Sequence, residues 1–334
     1  MAITTLDGLI AGMQPPDEFY KIGAGTQVVG RQYSLLYAAG MPGAAAAPAP
    51  GLQGIGLTTY PGQLDWSNPV AGNTYLARFA GEASTVGTLL LCDRLWHNSG
   101  NSSTSTSAQT HTLTASAVSQ ANPTQITTPT HGQGSGTFTV VITGSNSTPS
   151  VDGTYTATYV SSTQFTIPVN VTVAGTTATI YIGIPPRDEE AAVDGSNVML
   201  AYEVSSGMGG GTPTFTATYV NAAGTADKVT PSVTFAASHP IGTFIPLPLA
   251  AGDTGVRAVK DHTKNATQTS GTYHLVMYRV ISRIPVIAAT VSAAVDAITA
   301  GMPKLHANSV PFLVFICGST TAPNVSGQII YSQG

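Results

Sequence analysis

The hydrophobic positions near the N-terminus recur with the spacing of an α-helix. They lie three or four residues apart, at Ile3, Leu6, Leu9, Ile10 and Met13. Thr4 or Thr5 can cap the first turn, and the two prolines at 15–16 cannot continue a helix. The pattern therefore predicts one short helix within residues 1–13.

From about residue 74 the pattern changes to short runs rich in β-branched and aromatic residues, many of which alternate with polar ones. Runs of this kind, separated by Gly, Ser, Asn and Pro, are typical of strands joined by turns. We expect strands at residues 74–79, 86–91, 137–143, 154–160, 163–168, 171–182, 197–205, 214–221, 242–249, 273–281, 311–317 and 328–331. Residues 291–300 fit either a short helix or a strand.

These patterns predict a mainly β protein. Its expected architecture is a discontinuous β-sandwich or barrel-like core domain with an inserted small β-sandwich and a short N-terminal helix. Between the helix and the first strands, residues 40–56 contain three prolines and five glycines. Such a stretch excludes a regular element across its whole length and predicts an extended loop or arm over a surface, its own or a neighbour's.

The middle of the chain differs sharply in composition from its flanks. No Lys or Arg occurs between Arg94 and Arg187, and Asp152 is the only charged residue from 101 to 180. We interpret residues 116–182 as an inserted module, a small β-sandwich or barrel. Residues 1–115 and 183–334 then form one discontinuous domain.

Charge is scarce throughout the chain. Charged residues make up 8% of the 334 positions, against about 25% in ordinary soluble domains. Twelve Lys and Arg residues at a net charge of −4 do not supply the basic stripe that a nucleic-acid partner requires. No run approaches 18 apolar residues, and we expect no membrane partner. A neutral surface favours association, so the composition suits a subunit that buries surface against its own copies or a scaffold.

Candidate chemistry is sparse. Residues 93–97 hold Asp, Arg and His together, but we expect a charged strand end with a local ion pair rather than an active site. The acidic run 188–190 lacks the spacing of a calcium loop. His262, His274 and His306 are isolated, without the spacing of a zinc site. We therefore predict no enzyme activity, no cofactor and no metal site.

The two cysteines, Cys92 and Cys317, each lie in an apolar run. Free cysteines are commonly buried in such surroundings. We expect two buried thiols, in a protein made in a reducing cytoplasm.

Several blocks of the outer segments resemble virion proteins of tailed bacteriophages that are found with head genes. They are residues 1–16 (opening Met-Ala-Ile-Thr-Thr-Leu-Asp-Gly-Leu-Ile), 33–43 (Tyr-Ser-Leu-Leu-Tyr-Ala-Ala-Gly-Met-Pro-Gly), 91–100 (Leu-Cys-Asp-Arg-Leu-Trp-His-Asn-Ser-Gly), 249–257 and 327–334. The blocks span 1–115 and 183–334. The middle segment resembles a separate module of phage surface and tail proteins, through residues 125–132, 151–158 and 164–169. This resemblance implies that 116–182 is an inserted immunoglobulin-like β-sandwich.

The resemblance implies a structural virion protein, with no catalytic residues to transfer. We expect a capsid decoration, or cement, protein on the outer surface of the head, bound to the major capsid protein and to its own copies, with a trimer as a plausible closed form. The candidate partner contacts lie in the N-terminal segment and in the 40–56 arm: Leu6, Leu9, Ile10, Met41, Leu52 and Ile55.

Two alternatives remain open at this stage. The first is a tail, neck or baseplate subunit, which would be present in few copies. The second is a host- or glycan-binding adhesin that uses the inserted module. An adhesin needs aromatic side chains on loops, whereas the module's aromatic residues fall in predicted strands, at Phe138, Tyr155, Tyr159, Phe165 and Tyr181.

Overall fold

A computed structural model of the chain describes residues 5–47, 54–65, 74–98, 100–187, 193–306 and 308–334. These residues form one short helix and 26 strands. The helix is α1 (Leu6–Ala11). The strands follow in chain order as β1 (Asp17–Ile22), β2 (Gln32–Ser34), β3 (Ala39–Met41), β4 (Ile55–Gly56), β5 (Thr74–Ala83), β6 (Gly87–His97), β7 (Asn101–Ser102), β8 (Gln109–Thr110), β9 (Thr112–Thr114), β10 (Ala117–Val118), β11 (Thr124–Thr127), β12 (Thr137–Thr143), β13 (Gly153–Ser161), β14 (Gln164–Ile167), β15 (Thr179–Ile182), β16 (Met199–Ser206), β17 (Thr214–Asn221), β18 (Lys228–Val229), β19 (Val233–Thr234), β20 (Thr243–Leu247), β21 (Val256–Lys264), β22 (Thr272–Val286), β23 (Ala293–Asp296), β24 (Lys304–Leu305), β25 (Pro311–Cys317) and β26 (Asn324–Gln333). The predicted mainly β fold with a short N-terminal helix is confirmed.

Six strands close into a barrel at the centre of the molecule. They pair in the order β6, β25, β2, β20, β16 and β22, and β22 pairs back to β6 along most of its length. Because successive strand residues point to opposite faces, alternate residues fill the barrel interior. The interior apolar residues are Leu90, Cys92, Ala201, Phe244, Val276, Tyr278, Phe312 and Val314.

A six-stranded antiparallel sheet, which we call sheet A, covers one side of this barrel. Its main path runs β23, β5, β26, β1 and β3, and β24 also pairs with β5. Gly327 lies opposite Gly81 in this sheet. A Cβ atom at Gly327 would come within 2.2 Å of the Ala80 carbonyl oxygen and 2.5 Å of the Phe19 ring. Glycine is therefore required there for Phe19 to pack under the sheet.

Two further sheets lie on another side of the barrel. A seven-stranded sheet runs β10, β11, β14, β13, β12, β15 and β9, and a smaller sheet contains β8, β17, β18, β19 and β21. Side chains from both sheets share one apolar core with barrel residues such as Leu200 and Tyr202. The seven-stranded sheet begins with β9, just before the predicted module 116–182. The division of the chain into a module at 116–182 and a discontinuous domain of 1–115 and 183–334 stays a prediction.

Two local predictions, on residues 291–300 and on the two cysteines, can be compared with the structure. Residues 291–300, for which helix and strand remained open, contain the strand β23, because pairing with β5 satisfies its backbone. Cys92 and Cys317 are free and buried, as predicted. Among the described residues, no helix combines the length and the apolar character needed to cross a membrane.

Candidate functional site

Helix α1 displays two of the predicted contact residues at the surface. Thr5 caps the helix through its side-chain oxygen, as the sequence predicts. The Ser332 hydroxyl donates a 2.8 Å hydrogen bond to the Leu9 carbonyl and so attaches the helix to the end of β26. Leu6 and Ile10, four residues apart on one helix face, are 70% and 62% exposed, and Leu9 is half-buried. The helix therefore presents apolar side chains outward instead of burying them.

The remaining predicted contacts lie on different sheets. Met41 is 53% exposed on β3, at one edge of sheet A, where it pairs with Tyr20. Ile55 is 36% exposed on β4, which extends the barrel sheet at His97. Leu52 lies outside the described residues. The structure thus places α1 and Met41 on sheet A and Ile55 elsewhere, so these residues do not form one patch.

The most exposed large apolar side chains are ones that the sequence analysis did not select. Ile298 is 90% exposed and Ile287 is 83% exposed, and both flank the edge strand β23. The segment 287–303 contains a single charged residue, Asp296. The sequence shows an apolar run with one charge here. The composition of such a run does not reveal which of its side chains are exposed.

A well-formed turn holds Ile298 in this exposed position. The Asp296 carboxylate accepts hydrogen bonds from the backbone amides of Ile298 (3.1 Å) and Thr299 (2.9 Å). It also accepts a bond from the Thr299 hydroxyl, and the Ala300 amide donates to the Asp296 carbonyl. These bonds from Thr299 and Ile298 hold the pKa of Asp296 below its usual value. The isoleucine is therefore presented by a hydrogen-bonded turn.

Among the described residues, burial removes more cations than anions from the surface. Five of the twelve Lys and Arg residues are at most 7% exposed, namely Lys21, Arg94, Arg187, Lys264 and Arg279. Asp93 and Glu203 are the acidic residues buried to the same degree in the described part of the chain. Exposed apolar side chains therefore stand on a surface that is poor in cations.

The charged stretch 93–97 forms a buried network, and the predicted local ion pair is wrong. Arg94 follows Cys92 at the next interior position of β6, and its Nη1 atom lies 2.7 Å from Oε2 of Glu203 on β16. His274 of β22 places Nε2 within 2.6 Å of the same oxygen. All three side chains are fully buried inside the barrel. Their partners come from distant strands because barrel closure, and not sequence proximity, brings these interior positions together.

Asp93 points to the opposite face of β6 and forms a second network. Its Oδ1 atom lies 3.4 Å from Nη2 of Arg187, and Oδ2 lies 3.5 Å from Nε of Arg279. The Val310 amide donates a 2.8 Å hydrogen bond to the same carboxylate. Neighbouring residues of one strand therefore supply two separate buried networks, one on each face.

Burial and close charged neighbours set the pKa values of the side chains in the interior network. Burial opposes ionisation of Glu203, but the Arg94 guanidinium and the His274 hydrogen bond outweigh it and lower the pKa of Glu203 below its usual value. Burial, reinforced by Arg94, lowers the pKa of His97 well below normal. Because Arg94, Glu203 and His274 have no exposed surface, a substrate cannot reach them. This network is suited to holding barrel strands together.

The other candidate groups from the sequence are two histidines and one acidic run. His262 is buried, and its Nε2 atom lies 2.9 Å from the Tyr273 hydroxyl, whereas His306 is half-buried. The acidic run 188–190 lies outside the described residues. Within the described part of the chain, no cluster of three or more His, Cys, Asp or Glu side chains is arranged to hold a metal ion.

Comparisons with known proteins give only weak similarities. No protein-family profile and no curated protein matches the chain. Among solved structures, T=1 particles derived from infectious bursal virus show 10% identity over 86% of this chain and 81% of that chain, with a TM-score of 0.15. The infectious bursal disease virus Gt strain shows 10% identity over 96% and 82%, with a TM-score of 0.14. The VP2 subviral particle of that virus shows 8% identity over 86% and 84%, with a TM-score of 0.15. All three are structures of a virus or of particles derived from one, but TM-scores of this size do not establish a shared fold.

Proposed function

We propose that this chain is a structural protein of a tailed-bacteriophage virion, most specifically a decoration protein that binds the outside of the head. The observation that carries the proposal is the display of apolar side chains on a surface poor in cations. Leu6 and Ile10 on α1 and Met41 on β3 are the proposed contacts with the major capsid protein. The proposed role involves no catalysis, cofactor, nucleic acid or membrane.

Exposed apolar side chains support an assembly role because they cost free energy in water. Burying a Leu or Ile side chain at an interface stabilises the complex by about 1.5–3 kcal/mol. Leu6 and Ile10 are displayed on a helix that buries none of its own residues. Several such contacts across the joint between two capsid subunits would hold the subunits together against the pressure of packaged DNA.

A tail, neck or baseplate subunit is the nearest alternative, because it would use the same kind of surface. Copy number separates the two. Quantitative mass spectrometry of purified particles should find a simple ratio to the major capsid protein, corresponding to hundreds of copies. A value of about six or twelve copies would indicate a ring in the tail or neck and would overturn the decoration proposal.

The adhesin alternative receives less support from the module's side chains. Phe165 and Tyr181 are buried, and Phe138, Tyr155 and Tyr159 are half-buried. Stacking on a sugar requires an accessible aromatic face, which these positions offer only in part. We therefore assign the seven-stranded sheet no ligand.

The contact surface can be tested by adding the purified chain to particles that lack it. Ile10→Asp and Leu6→Asp should each reduce co-sedimentation with the particles at least tenfold, because a carboxylate would be buried in an apolar interface. Val173→Asp is the matched control, since Val173 is 57% exposed and lies in the predicted module, away from α1. Unchanged binding of both α1 variants would overturn the assignment of α1 as a capsid contact.

A further inference from the structure

The molecule carries an exposed apolar knob and a trough with an exposed valine pair on separate elements. The knob is Ile298, which stands 90% exposed at the tip of the turn 296–300. We call residues 296–300 the Ile298 turn. The turn follows β23 at the edge of sheet A. Ile298 therefore projects away from its own chain and is free to contact a partner surface.

The trough lies beside strands β2 and β20 of the barrel. It has a volume of about 350 Å³, and its apolar walls include Val28, Val29, Ile245 and Pro246. We call this the Val29 trough. Val28 and Val29 are 46% and 60% exposed. The trough therefore combines an exposed valine pair with polar side chains, among them Arg31, Gln32, Thr234 and His239. The valine pair can receive a branched aliphatic side chain.

Charges beside the knob and the trough are complementary. Asp296 keeps its negative charge next to Ile298, in the turn that its carboxylate organises. Arg31 lines the Val29 trough and brings a positive charge, with its Nη1 atom 3.0 Å from Nδ1 of His239. A knob inserted in the trough would bring opposite charges together at the rim of the contact. This favours an occupant that carries both features, which a second copy of this chain does.

We propose that the Ile298 turn of one copy inserts into the Val29 trough of the next copy. The two surfaces lie on different parts of the chain, so the contact is head-to-tail and generates a ring when the rotation closes. The proposal deepens the proposed function by naming the surface through which its copies join. It rests on the proposed function only for its place in the virion, because the contact forms between copies of this chain without a capsid.

Sedimentation velocity of the purified full-length chain tests this contact without capsids. The wild-type chain should form oligomers, and Ile298→Asp and Val29→Asp should each weaken self-association at least tenfold. Both residues are exposed, so neither change should alter the melting temperature. Val173→Asp should associate like the wild-type chain.

Mixing the two defective chains gives the sharpest result. An Ile298→Asp chain keeps its trough, and a Val29→Asp chain keeps its knob, so a 1:1 mixture should form a heterodimer and nothing larger. A wild-type chain that stays monomeric, a Val29→Asp chain that assembles normally, or a mixture that stays monomeric would each overturn the proposal.

Disulfide crosslinking provides a second readout. The Ile298→Cys/Val29→Cys chain should form intermolecular disulfides on mild oxidation, and the Ile298→Cys/Val173→Cys chain should not give the same ladder. The native thiols of Cys92 and Cys317 are buried and do not compete. Absence of these crosslinks would overturn the proposed contact between copies. It would not affect the result of the particle-binding experiment with the α1 variants, so the two proposals can fail separately.

Discussion

Arg94 and Glu203 form an ion pair at 2.7 Å inside the closed barrel, and neither side chain has exposed surface. They occupy interior positions of β6 and β16, which are not adjacent strands. His274 of β22, which pairs with both strands, contacts the same carboxylate oxygen. The network therefore joins three barrel strands at one point.

Removing one member of this network should be costly, because the other charge is left buried without its partner. Glu203→Ala is expected to lower the free energy of unfolding by about 3–5 kcal/mol. The double variant Arg94→Met/Glu203→Leu should lose much less, since it leaves neither charge unpaired. Urea unfolding of the single and double variants measures the difference.

The matched control is an exposed ion pair, Lys260–Asp227, whose side chains are 36% and 65% exposed. Asp227→Ala should cost about 0–1 kcal/mol, as is usual for surface pairs. Equal losses at Glu203 and Asp227 would contradict the buried role that we assign to the Arg94 network.

Mild acid should destabilise the protein. Burial lowers the pKa of five histidines, His97, His239, His262, His274 and His306, with values of about 4 for His239 and His306. Below a pH of about 6.5 the unfolded chain therefore binds more protons than the folded chain. The free energy of unfolding then decreases as the pH is lowered. Melting temperatures should decline between pH 6.5 and about 5, above the range where most carboxylates titrate. His239→Gln should make the decline shallower, and an identical pH profile would contradict this cause.

Lys21 should act in the same direction at alkaline pH. Its buried ammonium donates a 2.8 Å hydrogen bond to the Pro42 carbonyl, and burial lowers its pKa to about 8. Between pH 8 and 10 the unfolded chain keeps a proton that the folded chain releases, so Lys21 contributes more stability as pH rises. The stability of Lys21→Met relative to the wild-type chain should fall by on the order of 1–2 kcal/mol over this window. Urea unfolding at both pH values measures it, and the comparison cancels the titration of cysteines and tyrosines; a constant difference would contradict the prediction.

The predicted module 116–182 should unfold together with the rest of the chain. Val141 and Tyr181 of the seven-stranded sheet pack against Val220 and Ala258 of the neighbouring sheet. Tyr181→Ala should therefore lower the free energy of unfolding by about 3 kcal/mol and leave one cooperative calorimetric transition. Tyr155→Ala, at a half-buried position, should cost less. Two separate transitions in the wild-type chain would instead support an independent module.

Local sequence patterns predicted part of this fold but little of its candidate site. Thr5 caps α1 because a Thr at that position accepts a bond from a backbone amide three residues later. Residue runs that alternate or are rich in β-branched side chains become strands. The sequence also placed Leu6 and Ile10 among the candidate contacts, and both are exposed. The sequence pattern did not identify Ile298, because a run of Ala, Val, Thr and Ile is compatible with core or surface.

Composition and local spacing account for the β-rich class, the scarcity of charge and the short capped helix, because each depends on neighbouring residues or on residue counts. Strand pairing, barrel closure, the burial of Arg94 with Glu203 and the exposure of Ile298 depend on contacts between residues far apart in the chain. Many registers satisfy the same alternation, and only packing of the whole set of strands selects among them. Asp93 and Arg94 illustrate the division: alternation assigns them to opposite faces, but their partners exist only once the barrel has closed.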